Sequence, residues 1–212
     1  AAGGFVVNQR RAGRIDHAMI SYNLLTTTSP EEAAELAARL EQCNEERQRL
    51  RDDILSRARK AALSQAEELP ILIVEGEDFW PGVVGIVASQ LSQEFNRPAL
   101  VIDRGPETSQ GSARSIAEFD IIAALQQCSD LLQRFGGHPQ AAGFSLSTQR
   151  MPEFRERLIE IARRQLDGKD LQPSLLIDME LPLASLDGQA FPLLKKLSPF
   201  GKCHPTPTFL SR

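Results

Sequence analysis

Three observations predict an α/β fold. Ile71-Leu72-Ile73-Val74 is an unbroken apolar run, Pro98–Ile102 is a second, and between them Val83, Ile86, Val87 and Leu91 recur at helical spacing. Continuous apolar runs mark strands buried on both faces, and strand–helix–strand order favours parallel pairing with right-handed crossovers. A mostly parallel sheet flanked by helices is therefore expected over residues 70–168.

The segments before it read differently. Within 1–28, Gly3-Gly4-Phe5-Val6-Val7 has the character of a strand end, and Arg10, Arg11 and Arg14 crowd around Ala12-Gly13. Three guanidiniums so close either hold phosphates or form a solvated basic surface. Asp16-His17 pairs an acid with an imidazole, but adjacent helical residues point in different directions. Residues 29–69 are expected to form one long helix. Ser29-Pro30-Glu31-Glu32 supplies an N-cap, a first-turn proline and a capping-box glutamate. Leu36, Leu40, Cys43, Leu50 and Ile54, then Ala58, Ala61 and Ala62, continue one apolar stripe. At 1.5 Å per residue its length is roughly 50 Å, which suits a connector between domains; a dimerising coiled coil is the alternative.

Inside the α/β segment, Gly82 to Phe95 is the first helix and Gln110–Ser115 a small-residue strand. Asp120 caps a helix expected over Ile121–Arg134. Phe144-Ser145-Leu146 is a strand, and Pro152–Leu166 the last helix. From Gly168 the pattern changes to a loose β-alternation over Leu175–Leu181, a short apolar helix around Phe191–Leu197 and a proline-rich close. Two strands cannot close a barrel, so 169–212 reads as the beginning of a further domain, and the chain as a piece cut at both ends.

Composition sets outer bounds. At 212 residues a sizeable core is affordable. No apolar run nears the ~20 residues of a membrane span. Cys43, Cys128 and Cys203 are odd in number and scattered, which argues for a reducing, cytoplasmic setting rather than a disulfide framework. A net charge of −4 offers no general attraction to nucleic acid, so any such binding needs a local patch.

Three stretches could supply one. Arg134-Phe135-Gly136-Gly137-His138-Pro139-Gln140-Ala141-Ala142-Gly143 sets a histidine beside backbone without bulk, either as a helix cap or as a loop whose amides meet an anion. Gly111-Ser112-Ala113-Arg114-Ser115 places Ser112 and Arg114 two apart on a strand, hence on one face, as a hydroxyl–guanidinium grip for phosphate. Trp80, before Pro81-Gly82-Val83-Val84-Gly85, either stacks on a base or plugs the hydrophobic edge. No P-loop or nucleophile elbow occurs, and the three histidines, His17, His138 and His204, are far apart in sequence.

These motifs, with Ser198-Pro199-Phe200-Gly201 and Pro205-Thr206-Pro207-Thr208-Phe209, occur in an order that resembles the RecJ family of single-strand-specific 5′→3′ exonucleases, within the DHH/DHHA1 phosphoesterases. The likeness covers essentially the whole chain. It implies that 1–28 end a catalytic DHH domain, 29–69 are the connecting helix, 70–168 a DHHA1 substrate-binding domain and 169–212 the start of an OB-fold. It implies single-stranded DNA as partner, a role in DNA repair and recombination, and Mn²⁺ or Mg²⁺ bound upstream, with no metal ligands in this chain. By the same likeness Arg10, Arg14, Trp80, Ser112, Arg114, Gly136 and Gly137 contact the strand. His138 acts at the scissile phosphate, and the chain alone degrades no DNA. A monomer is expected, with repair proteins as possible further partners. A relative acting on short oligonucleotides and a non-enzymatic helical interaction module are the alternatives.

Overall fold

The computed structural model describes residues 18–172, 174–185, 188, 190–201 and 203–211. Arg10, Arg14 and the Asp16-His17 pair lie outside them. Two compact units are present, one through Leu171 and one from Gln172.

The first unit opens with helix α1 (18–26) and the long helix α2 (Pro30–Ala66). Ser29 caps α2 by accepting the Glu32 amide at 3.2 Å, while the Glu32 carboxylate takes the Thr27 hydroxyl. Among the described residues, the last part of α2 fastens it to the domain: its buried side chains are Ile54, Ala58 and Ala62. Arg57 stacks over the Phe79 ring at 4.9 Å and donates to the Glu77 carbonyl, and Arg59 grips Glu94 bidentately at 2.7 Å.

The sheet that follows has the order β1-β2-β3-β5-β4. Its strands are β1 (Leu72–Gly76), β2 (Ala99–Asp103), β3 (Thr108–Arg114), β4 (Leu132–His138) and β5 (Ala141–Ser147). Helix α3 (Pro81–Phe95) links β1 to β2, α4 (Ile121–Gln126) precedes β4, and α5 (Met151–Leu166) follows β5. The α/β class with flanking helices is as expected, but the pairing is mixed. β1 and β2 are parallel, as their helical crossover requires, whereas β2–β3, β3–β5 and β5–β4 are antiparallel. Only Arg104–Glu107 join β2 to β3, and only Pro139-Gln140 join β4 to β5. Links that short allow hairpins, since a parallel crossover needs a dozen or more residues.

The expected helix Ile121–Arg134 is corrected more sharply. It stops at Gln126, turns through 127–131, and the chain re-enters the sheet as β4. Gly136-Gly137-His138 therefore end a strand and cap no helix. Leu125, Cys128 and Leu131 are all buried; their three-residue spacing imitates a helical stripe while serving one helical turn and the loop after it.

Strand alternation sorts the core into two layers. Ile73, Leu100, Ile102, Ala113, Phe144 and Leu146 face α4 and α5, whose Phe154 and Leu158 are fully buried. Leu72, Val74, Ala99 and Val101 face α3 and the end of α2. A side chain such as Phe154 contributes roughly 2–3 kcal/mol by leaving water. The outer edge of β1 is closed by side chains. Gln65 pairs with both the amide and the carbonyl of Ile73, and Arg155 donates to the same carbonyl at 2.8 Å.

In the second unit, β6 (Met179–Glu180) pairs in parallel with β7 (Phe209–Leu210), and α6 (Ala190–Lys195) lies between them in sequence. The strand expected over Leu175–Leu181 is thus only two residues long. His204 stacks on Phe200, and its Nε2 lies 2.9 Å from the Leu197 carbonyl.

Candidate nucleic-acid interface

Among the described residues, α2 packs on β1, and α3 on β2 and β3. On the same side of the sheet the register brings the remaining outward residues of three strands into rows. Arg114 pairs with Ala141, and Ala141 with His138. Ser112 pairs with Gly143, and Gly143 with Gly136. Gln110 pairs with Ser145, and Ser145 with Arg134. Directly paired residues share a face, so each row points its side chains the same way. The burial pattern agrees: on β3 and β5 these positions are half-buried or exposed, while Gly111, Ala113, Ala142, Phe144 and Leu146 between them are buried. The middle row is nearly bare backbone, and polar or basic side chains stand around it.

Local chemistry fixes the corners. Arg114 donates from Nη1 to the Ala113 carbonyl at 2.8 Å, and its Nη2 rests against α3 at Gly85, where a Cβ would come within 3.1 Å. The same Cβ would approach Ser112 Oγ at 3.4 Å. At the hairpin, the Gln140 amide donates to His138 Nδ1 over 3.4 Å. This bond makes Nδ1 an acceptor, so that Nε2 is the ring nitrogen left to donate. The turn itself is held from three sides: Ser115 N–H donates to the Gln140 carbonyl, Ile121 N–H to the Pro139 carbonyl, and the Gln140 amide group to the Ile116 carbonyl.

Gly136 and Gly137 have different duties. Gly136 lies on the open face with no atom near the position of a Cβ. Gly137 has φ +150 and points to the opposite side, where a Cβ would come 2.6 Å from Ala142 Cα and closer still to the Ala141 carbonyl oxygen. The hairpin needs Gly137, and only Gly136 clears the face. Trp80 occupies the N-cap position of α3 and packs half-buried on the core of that layer. Sequence reasoning missed Gln110, Ser145 and Arg134. Their alternation was visible, but their convergence depends on strand register.

Charge distinguishes this face from its surroundings. None of its nine positions is Asp or Glu, in a chain holding 28 of them. By contrast, the cleft at the carboxyl ends of β1 and β2, the usual ligand position in open α/β sheets, is lined by Glu77, Asp78, Asp103 and Glu107. Among the described residues, no group of three or more His, Cys, Asp and Glu side chains could hold a metal ion. No helix among them is long and apolar enough to cross a membrane.

The sheet and its hairpin coincide with a known domain. Residues 68–164 match the DHHA1 domain. Around that domain the likeness runs almost the full length of the chain. It is 38% identical over 200 residues to the single-stranded-DNA-specific exonuclease RecJ of Bacillus subtilis, covering 93% of this chain and 25% of that protein. It is 35% identical to RecJ of Thermus thermophilus, with 94% and 28% covered. The crystal structure of Thermus thermophilus RecJ in complex with Mg²⁺ superposes with a TM-score of 0.82 at 32% identity, over 93% of this chain and 30% of that one. A second structure of the same protein holds Mn²⁺. The chain thus spans between a quarter and two fifths of the curated relatives it matches, and the segment that matches the DHHA1 model carries the open face.

Proposed function

We propose that this chain is the strand-holding portion of a single-strand-specific exonuclease, in which the open face of the DHHA1 domain grips the DNA backbone. The observation that carries the reading is the acid-free array with Arg114 and His138 at the two ends of one row. Adjacent strands are about 4.8 Å apart, so this row spans roughly 10 Å, enough to seat a phosphate between a guanidinium and an imidazole. Arg114 and Ser112 hold the backbone. His138 donates from Nε2 and orients the phosphate to be cleaved, and the bare backbone at Gly136 and Gly143 allows close approach.

Phosphodiester hydrolysis by metal-activated water needs carboxylate-rich ligands, which the described residues do not assemble. The Mg²⁺ and Mn²⁺ of the Thermus structures suggest the ions that a preceding DHH domain, ending near residue 28, would hold. On this reading 29–69 connect the domains, 70–168 hold substrate, and 169–212 begin an OB-fold that guides the strand. Digestion runs 5′→3′, in cytoplasmic DNA repair and recombination, by a monomer. The relatives' names support exonuclease action on single-stranded DNA; the domain bounds, polarity, setting and oligomeric state rest on the resemblance of the sequence motifs.

Fluorescence anisotropy with a labelled oligothymidylate tests the binding claim. Arg114→Ala is expected to weaken binding and to flatten the plot of log affinity against log salt by about 0.7, the share of one phosphate on a single strand. Unchanged affinity and slope would remove Arg114 from the interface. The chain incubated with Mn²⁺ is expected to leave the oligonucleotide intact, and progressive digestion would place the hydrolytic centre within it.

A further inference from the structure

We propose that Arg134, flanked by Gln110 and Ser145, takes a second backbone phosphate, separate from the one held at Arg114 and His138. The inference rests on the reading that the open face binds single-stranded nucleic acid, and adds to it a direction and a length.

Four observations carry it. First, register: Arg134 and Gln110 occupy the two ends of one row, with Ser145 between them, on the same face as Arg114 and His138. Second, spacing: the rows are two residues apart along the strands, about 7 Å at ~3.4 Å per residue, so Arg134 stands some two rows from His138. One phosphate cannot touch both, whereas an extended single strand laid along β4 and β5 brings a later phosphate there. Third, availability: Arg134 is exposed, and no carboxylate partners it among the described residues, unlike Arg57, Arg59, Arg104, Arg150 and Arg157, each of which is ion-paired. A guanidinium on a face without acids keeps its charge for an incoming anion. Fourth, a groove of about 460 Å³ opens at this row, lined by Gln110, Arg134, Gly143 and Ser145.

The far boundary is set by charge. Thr108 and Gln110 also border the cleft of Glu77, Asp78, Asp103 and Glu107, whose one arginine, Arg104, is paired with Glu75, so that its net charge repels phosphate. The backbone track on this domain therefore runs from the His138 row to the Arg134 row and stops there. Ser145 and Gln110 add hydroxyl and amide donors to the guanidinium, and none of the three reads a base.

Salt dependence separates one phosphate from two, because each neutralised phosphate on a single strand contributes about 0.7 to the slope of log affinity against log salt. The chain and its Arg114→Ala, Arg134→Ala and doubly substituted forms are titrated with a labelled twelve-nucleotide oligothymidylate at several salt concentrations. Each single substitution is expected to reduce the slope by about 0.7 and the double by about 1.4, with Arg134→Lys retaining the original slope. An Arg134→Ala slope equal to wild type, or a double variant no flatter than Arg114→Ala, overturns the second phosphate while leaving the Arg114 contact standing. Unchanged slopes in all three variants overturn both it and the reading on which it rests. Because Arg134 is exposed and unpaired, its replacement leaves the fold intact.

Discussion

The guanidinium of Arg114 lies against the backbone of Gly85, so that a methyl group on Gly85 would stand 3.1 Å from Nη2 and 3.4 Å from Ser112 Oγ. A helix residue of α3 thereby positions two side chains of β3. Glycine inside a helix costs roughly 0.5–1 kcal/mol relative to alanine, and here the space it leaves is occupied by two residues of the proposed interface.

Gly85→Ala is accordingly expected to separate stability from binding. Thermal unfolding of the variant should occur at the wild-type temperature or slightly above it, since Arg114 is flexible enough to yield. Affinity for oligothymidylate should fall several-fold, as the guanidinium is pushed from its seat. Equal affinity would mean that Arg114 binds equally well from other rotamers.

The two hairpin glycines should respond in opposite ways. Gly136→Ala meets no atom and should change stability by less than about 0.5 kcal/mol, yet it raises a methyl group in the middle row and should weaken strand binding. Gly137→Ala forces a side chain onto a backbone at φ +150 and into the Ala141–Ala142 backbone. It should cost about 1–3 kcal/mol, seen as a lower urea midpoint. Similar stability for the two variants would contradict the distinct roles assigned above.

Packing behind the face can be probed at Gly111, whose absent Cβ is replaced by the Phe144 ring, with Cε1 2.8 Å from where that atom would be. Gly111→Ala should destabilise by about 1–3 kcal/mol through overpacking. Phe144→Leu should relieve part of that loss in the double variant. Strictly additive effects would show that the two sites do not touch in solution.

Asp130 and Arg157 supply a pH test. The Arg157 hydrogen bond, at 2.5 Å, holds the Asp130 carboxyl below its usual range against the opposing effect of desolvation. A lowered folded pKa contributes stability above the unfolded value of about 3.9 and loses it as pH falls through the folded value. Asp130→Asn should therefore be less stable than wild type near neutrality, by a small amount for so exposed a pair, and the gap should close below about pH 4. A gap independent of pH would mean that the carboxylate's charge plays no part.

Legibility in the sequence followed the range of the forces involved. Helix α2 declared itself through local signals, a Ser-Pro-Glu-Glu start and an apolar stripe, and runs from Pro30 to Ala66. The buried strands β1 and β2 were equally plain because burial on both faces leaves an unbroken apolar run. β4 was not. Its Arg-Phe-Gly-Gly-His has poor strand propensity, and only pairing with β5 holds it extended, a case of tertiary context overriding local preference. The antiparallel turn from β2 into β3 had a readable signal in its four-residue link. The alignment of Arg134 with Gln110 had none, since register across three strands is settled by the whole sheet.

Among the described residues, the long helix α2 is anchored from Ile54 onward, which gives the molecule a lever. The 24 residues from Pro30 to Asp53 extend about 36 Å beyond that root at 1.5 Å per residue. A tilt of about five degrees at the root would swing the tip by about 3 Å. The Arg59–Glu94 clasp, the Arg57–Phe79 stack and the Gln65 pairing with β1 act as the fulcrum, and whatever mass rides on the tip exerts its torque on β1 and α3, the element that seats Arg114.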